Sequence, residues 1–275
     1  MSRINAMQTL FRLREPFLLV SVFVLLSASI AAAGYCYFLD QERRFHAEVA
    51  RQVAGVAQFK ADYLTNWRQD YLKEAEFLFK NESLQSLARS YCDQPTTMEP
   101  ERQLRTYLSL YLDRYHFDQA RLVDRQGLTR IAIPKDDRGA SSEFTRRTAE
   151  TFLSRRVSLT DFFGWEEGQK SSLAVLIPVL DKDEARPPIA VIALRVDPAN
   201  FIYTYIRQWP VASHTAENLL VRRDGNEVVI LNDRSSESDT AMGSRFSLDR
   251  KELPCVQAAL GTEGAVEEWT KRGEL

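Results

Sequence analysis

The sequence predicts an α+β fold: an apolar N-terminal helix, a long second helical stretch, and two tandem units built on antiparallel sheets. Three observations carry this reading. Residues 16–39 form an uncharged apolar run. Apolar residues recur at helical spacing from about 40 to 80. After Asp118 the pattern turns to short apolar strands set between turns, and one strand–turn–strand phrase recurs 98 residues later.

Pro16–Leu39 is 24 residues long and carries no Asp, Glu, Lys or Arg. At about 1.5 Å per residue, roughly 20 residues cross a hydrocarbon core of ~30 Å. The run is longer than the apolar core of a cleaved leader and continues past Ala31-Ala32-Ala33, so it predicts a retained transmembrane helix. Pro16 suits the first turn, and Tyr35, Tyr37 and Phe38 sit where an interfacial aromatic belt would lie. Arg3, Arg12 and Arg14 precede the run, while Asp40 and Glu42 come first after it. That asymmetry places residues 1–15 in the cytoplasm and residues from about 40 onward outside it. Membrane contact through this one helix is the first expected partner.

The rest of the composition is that of a folded chain, with 44% apolar and 27% charged residues. Thirty-six basic against 38 acidic residues give a net charge of −2, which excludes a globally basic nucleic-acid binder. A mean hydropathy of −0.32 excludes a polytopic membrane protein. Three cysteines in 275 residues exclude a disulfide-stapled miniature fold, and Cys92 and Cys255 are read as separate thiols or as a pair.

Residues 40–117 are read as helical. Val49, Val53, Val56, Phe59, Tyr63, Trp67 and Tyr71 fall three and four apart, so one long helix spans 40–80, with Val49, Val53, Val56 and Tyr63 as its candidate signalling or dimer stripe. A break at Asn81-Glu82-Ser83 leads to a short helix ending near Tyr91. The loop Asp93–Thr97 follows, then a helix over 99–115 with Leu104, Tyr107, Leu108, Tyr111, Leu112 and Tyr115 on one side.

Residues 118–197 form the first sheet unit: strands at Ala120–Asp124 and Leu128–Ile133, a helix over 142–155, then strands at Val157–Phe163, Ser172–Leu180 and Ile189–Val196. Residues 198–218 are a connector, with Asp197 as N-cap and Pro198 in the first turn of a helix running to Trp209. Residues 219–275 form the second unit. Its strands are Leu219–Arg223, Val228–Asn232 and Ala265–Trp269, and a helix spans roughly 249–260.

The repeat links the units. Leu220-Val221-Arg222-Arg223-Asp224-Gly225 matches Leu122-Val123-Asp124-Arg125-Gln126-Gly127 at Leu, Val, Arg and Gly. From Gly127 to the end of the first unit's last strand is 69 residues, whereas 50 residues follow Gly225. The arithmetic predicts that the second unit stops two strands short and that the chain is the front part of a longer receptor.

A transmembrane helix, a long extracytoplasmic helix and two repeated sheet units together resemble the double Cache (PAS-like) sensor region of bacterial transmembrane receptors. The resemblance extends to Phe59-Lys60-Ala61-Asp62 with Trp67 and Tyr71. It also covers the junction Asp197-Pro198-Ala199-Asn200-Phe201 with Trp209-Pro210 and Ser213–Glu217, and the hairpin after it. It implies a bacterial inner-membrane location and two PAS-like units, a ligand held in the membrane-distal unit, a homodimer, and a signal passed along the long helix toward a histidine kinase or diguanylate cyclase output. Amino-acid-binding members carry an Arg-x-Trp-Tyr motif on the first unit's helix. Here that stretch reads Phe144-Thr145-Arg146-Arg147-Thr148, without the Trp-Tyr pair.

Catalytic signatures are absent. His46, His116 and His214 stand in no zinc-protease spacing, there is no Cys-x-x-Cys, and there is no nucleophile elbow or Gly-rich phosphate loop. No cofactor or metal is expected, and no enzymatic activity of this chain. A small-ligand pocket is expected instead, with candidates Tyr107, Tyr111, Arg130, Asp161 and Trp165. An Arg can grip a carboxylate, an Asp can accept from an ammonium, and aromatics can wall the site. Each also has a plain alternative: the tyrosines as core, Arg130 as a solvated charge, Asp161 as a turn cap, Trp165 as packing. A binding ectodomain without output, or an anchored periplasmic enzyme, are the alternative functions.

Overall fold

In the computed structural model, residues 3–93, 98–136, 139–166, 171–183, 185–208, 218–232 and 244–264 are described. The chain divides into two compact units, residues 1–55 and 56–275. The expected loop at 94–97, the junction residues 209–217 and the strand Ala265–Trp269 lie outside the described residues.

Helix α1 is Arg3–Phe79. In the first unit its residues 20–38 present Val20, Phe23, Leu25, Ile30, Tyr35 and Tyr37 well exposed. An uncharged helix of this length with its apolar side chains outward meets the requirement for crossing a bilayer.

In the second unit α1 turns amphipathic: Ala75 and Leu78 are buried, and Leu64, Trp67 and Tyr71 pack against the same core. Helices α2 (Glu82–Asp93) and α3 (Met98–Tyr115) join this layer through Leu84, Ala88 and Tyr91 and through Leu104, Leu108, Tyr111 and Leu112, three to four residues apart. Asn81 starts α2, its Oδ1 accepting from Leu84 N at 3.0 Å.

The sheet beneath is antiparallel. Its strands are β1 (Gln119–Asp124), β2 (Thr129–Ile133), β3 (Ser158–Leu159), β4 (Phe163–Gly164), β5 (Ser171–Val179) and β6 (Ala190–Val196), in the order β2-β1-β6-β5-β3, with β4 also on β5. Strand parity separates two faces. Leu122, Leu173, Val175, Ile177, Ile192 and Leu194 point into the core with α2 and α3. Val123, Ala174, Leu176, Val191 and Ala193 face the other way, beneath α4 (Ser142–Ser154), which contributes Phe144.

The sequence predicted one strand over 157–163. The structure breaks it into β3 and β4. Thr160 N still donates to the Ala174 carbonyl at 2.8 Å, but its hydroxyl takes the return bond from Ala174 N at 2.9 Å, and Asp161 follows in the break.

After β6, Asp197 Oδ1 accepts from Ala199 N at 2.8 Å and starts a 3-10 turn, Pro198–Asn200. Helix α5 is Ile202–Arg207, shorter than the sequence suggested. Its C-terminal end is held by α1. The buried Lys60 donates from Nζ to the carbonyls of Tyr205, Ile206 and Gln208 at 2.9, 2.6 and 2.6 Å. A lysine at the negative end of a helix is both a hydrogen-bonding and a dipole partner.

The second sheet is β7 (Val221–Asp224), β8 (Glu227–Ile230) and β9 (Arg245–Ser247), in that order. Helix α6 (Pro254–Ala259) packs Val256 against Val228 and Leu248. The two hairpins matched in sequence turn at Gly127 (φ 78°) and Gly225 (φ 62°), a conformation that glycine adopts without steric cost. Strand β9, between hairpin and helix, has no counterpart in the pattern read from the sequence.

Candidate functional site

The face of the first sheet under α4 carries the most unusual chemistry. Arg121 stands in the middle of β1, a strand buried along its whole length, and odd parity turns it away from the α2–α3 core. It is 2% exposed. Burying a guanidinium costs several kcal/mol unless charge and hydrogen bonds compensate. Compensation comes from two segments distant in sequence: Nη2 donates to Glu166 Oε1 at 2.8 Å and to Asp136 Oδ2 at 3.2 Å. Both carboxylates are themselves buried. Burial pulls the Arg121 pKa down, and the carboxylates of Glu166 and Asp136 oppose that pull.

Aromatic rings complete the surroundings. The guanidinium carbon lies 5.0 Å from the Trp165 ring centre and 5.6 Å from that of Phe144, within cation–π range. Phe144 and Trp165 meet edge to face at 4.6 Å, with Phe163 6.3 Å from each. A second arginine, Arg195 on β6, stands 6.0 Å from Trp165 and donates from Nε to Asp118 Oδ2 at 2.7 Å.

The scaffold that positions these groups is local. Ser141 caps α4, its Oγ accepting from Phe144 N at 3.0 Å. The same hydroxyl donates to the Gly164 carbonyl, Ser141 N donates to the Trp165 carbonyl at 3.3 Å, and Ala140 bridges to Glu166. The start of α4 is thereby pinned to the segment that carries Trp165 and Glu166.

Two donors in this cluster lack acceptors. Arg121 Nη1 and Trp165 Nε1 are both buried, and neither makes a hydrogen bond among the described residues. A buried donor without a partner costs about 1–3 kcal/mol. Two of them beside one ring system favour an oxygen-bearing guest such as a carboxylate.

Of the residues expected from sequence, Trp165 lies in this cluster, 0% exposed. The other four do not converge on it. Tyr107 and Tyr111 belong to α3, on the opposite side of the sheet. Tyr111 stacks between Tyr107 and Tyr115 at 5.8 and 4.8 Å, and the Tyr107 hydroxyl accepts from Asn81 Nδ2 at 2.7 Å. Burial, then the neighbouring Tyr115, pushes the Tyr111 phenol pKa up. Arg130 sits on the outer strand β2 and pairs with Asp124. Asp161 is 51% exposed and meets Arg222 of β7 at 3.3 Å. It lines a cleft of about 340 Å3 with Leu64, Trp67, Arg68 and Phe162. Arg146 and Arg147 form surface ion pairs with Glu143 on α4, with Arg146 also reaching Glu150.

Sequence reading missed Arg121, Asp136 and Glu166. A signal existed for the first: Gln119-Ala120-Arg121-Leu122-Val123 puts a charge inside an otherwise apolar strand, as does Arg195 in Ala190–Val196.

No protein-family profile matches this chain, and no curated protein sequence matches it. Solved structures with a similar outline include the ligand-binding domain of the Pseudomonas aeruginosa PAO1 amino acid chemoreceptor PctC in complex with GABA. That likeness has 17% identity and a TM-score of 0.45, covering 69% of this chain and 78% of that one. The ligand-binding domain of the Pseudomonas fluorescens chemoreceptor CtaA, in complex with L-isoleucine, has 14% identity and a TM-score of 0.46, covering 77% of each chain. A domain of a sensory box/GGDEF family protein from Vibrio parahaemolyticus has 12% identity and a TM-score of 0.43, covering 66% and 88%. Likeness at this level carries no argument about what this chain binds.

Proposed function

We propose that this chain is the extracytoplasmic sensing region of a membrane-anchored receptor. In this reading, the unit spanning 118–197 holds a small carboxylate-bearing metabolite between the sheet and α4. The observation that carries it is the pair of buried donors that find no acceptor among the described residues, Arg121 Nη1 and Trp165 Nε1, in one aromatic cluster. A carboxylate would accept from both. Glu166 and Asp136, already against the guanidinium, would favour a ligand that also bears an ammonium, so a zwitterion suits the site better than a simple acid. Phe144 and Phe163 supply the apolar wall that small-molecule sites generally have.

Anchoring rests on the exposed, uncharged stretch of α1 over residues 20–38, with the remainder outside the cytoplasm of a bacterial inner membrane. The signal would pass along α1 toward a cytoplasmic output, which requires that the ligand bind two conformations with different affinity. A homodimer would use the α1 stripe of Val49, Val53 and Val56. Val49 and Val53 are exposed, whereas Tyr63 is engaged within the chain, stacked on Tyr205 at 4.0 Å.

The test is a thermal-shift screen of the detergent-solubilised chain against amino acids, their decarboxylated amines and their keto acids. A zwitterion at a hundredfold excess over its Kd should stabilise by about 2.7 kcal/mol. The shift should vanish in Arg121→Lys, which keeps the charge but loses the fork. A panel without any stabilising member sinks the proposal. So does a shift that survives both Arg121→Lys and Trp165→Phe.

A further inference from the structure

On the opposite side of the sheet, α1, the end of α3 and the start of the connector enclose a cleft of about 620 Å3. Its walls are aromatic. Trp67 and Tyr71 meet at 4.6 Å, Tyr71 stands edge-on to Phe117 at 5.3 Å, and Phe201 closes a further side. Carboxylates predominate among its polar side chains, with one histidine, His116, beside them. Asp113, Asp118 and Asp197 line it, and no Lys or Arg among the described residues does.

These carboxylates differ in how far they are committed. Asp118 is paired through Oδ2 with Arg195, but its buried Oδ1 accepts no hydrogen bond among the described residues. Asp197 caps the 3-10 turn through Oδ1 and makes no ion pair among the described residues. Asp113 is exposed and makes no ion pair among the described residues. Ring faces attract cations through their quadrupoles, and uncompensated carboxylates attract them through charge. Anionic and neutral polar guests gain from neither.

We propose that this cleft is a second small-ligand site, separate from the Arg121 cluster, and that it takes an organic ammonium ion. The cation would rest against Trp67 and Tyr71 with Asp113 and Asp197 as counter-charges and Asp118 Oδ1 as a further acceptor. The cleft is bordered by α1 and by the first residues of the connector, Asp197, Asn200 and Phe201. Occupancy would therefore brace these elements against each other, whatever fills the other face.

Equilibrium dialysis of the full chain in detergent micelles tests this, with choline, tetramethylammonium and putrescine as probes and empty micelles as blank. At least one cation should be retained saturably, and 3,3-dimethyl-1-butanol, the neutral isostere of choline, should compete at least about tenfold more weakly than choline. Asp113→Asn, at an exposed position that leaves folding intact, should weaken retention by about threefold or more. Trp67→Phe should hold it within about threefold, and Trp67→Leu should cost about tenfold. Three outcomes each overturn the proposal: no saturable retention of any of the three cations, equal competition by the neutral isostere, or retention indifferent to both Asp113→Asn and Trp67→Leu.

Discussion

The two faces of the first sheet are made by the same strands, and they are built on opposite principles. Toward α2 and α3, alternate residues of β5 and β6 are Leu173, Val175, Ile177, Val179, Ala190, Ile192, Leu194 and Val196, without one polar group. Toward α4, the intervening positions include Ala174, Leu176, Val191 and Ala193, but β1 and β6 also bring Arg121 and Arg195. Fully burying a Leu or Ile yields about 1.5–3 kcal/mol. Burying an ion pair yields little or nothing over a hydrophobic replacement. Stability therefore resides mainly in the dry face. The charged face keeps a costly arrangement that packing alone does not require.

The largest expected effect comes from moving the charge across. Leu122 neighbours Arg121 on β1 but points into the dry core, 0% exposed. Leu122→Arg places a guanidinium among the apolar side chains of this core, at a cost of more than about 5 kcal/mol. The compact unit of residues 56–275 should lose its cooperative unfolding transition by circular dichroism. A variant that melts like the parent would show that the face is not dry.

The next effect comes from removing charge where it belongs. Arg121→Met removes the guanidinium that donates to both Glu166 and Asp136 and should cost about 3–5 kcal/mol at pH 7 in urea unfolding. Buried carboxylates that lose this guanidinium bind protons more readily when folded than when unfolded. Stability of the variant is thus retained at low pH and lost as pH rises, so its deficit against the parent should narrow toward pH 4.5. A deficit constant over that range would mean the carboxylates are solvated.

Much of this contrast was legible in the sequence, and its limits have physical causes. Strands β1, β5 and β6 announce themselves by β-branched and Leu-rich runs, and the helices by spacing of three and four. Parity then sorts the side chains once strands are known. The charged cluster was not legible because its members come from residues 15 and 45 positions away from Arg121, on irregular segments with no periodicity. Arg130 was the arginine chosen from sequence, nine positions along. Nothing local distinguishes β2, an outer strand, from β1, a central one, since the order β2-β1-β6 is set by long-range pairing. Strand β9 escaped because Arg245-Phe246-Ser247 is too short to show alternation.

A smaller effect tests how α2 is fixed on the dry face. Gln85 is its one buried polar side chain. Nε2 donates to the Pro178 carbonyl at 3.2 Å and Oε1 accepts from Leu180 N at 3.1 Å, pinning the helix to the end of β5. Gln85→Leu keeps the volume but leaves those backbone groups without the amide, at a cost of about 1–2 kcal/mol. Urea midpoints would report it. No loss at all would mean that packing by Leu84, Ala88 and Tyr91 alone holds α2 in place.

The smallest effect is chemical. Cys92 is a free, half-buried thiol near the end of α2, packed against the dry core. Burial, and then the carboxylates of Asp93 and Asp124, push its pKa up to about 11. The thiolate is the nucleophile, so at pH 8 alkylation should run about 100-fold slower than at a thiol titrating near 9. In a Cys36→Ser, Cys255→Ala background, iodoacetamide labelling followed by mass spectrometry isolates Cys92. Its rate should rise about tenfold per pH unit from 8 to 10. A rate equal to that of an exposed thiol would mean that α2 opens freely from the sheet. The dry face would then be the mobile one, and its claim to be the rigid half of the comparison would fail.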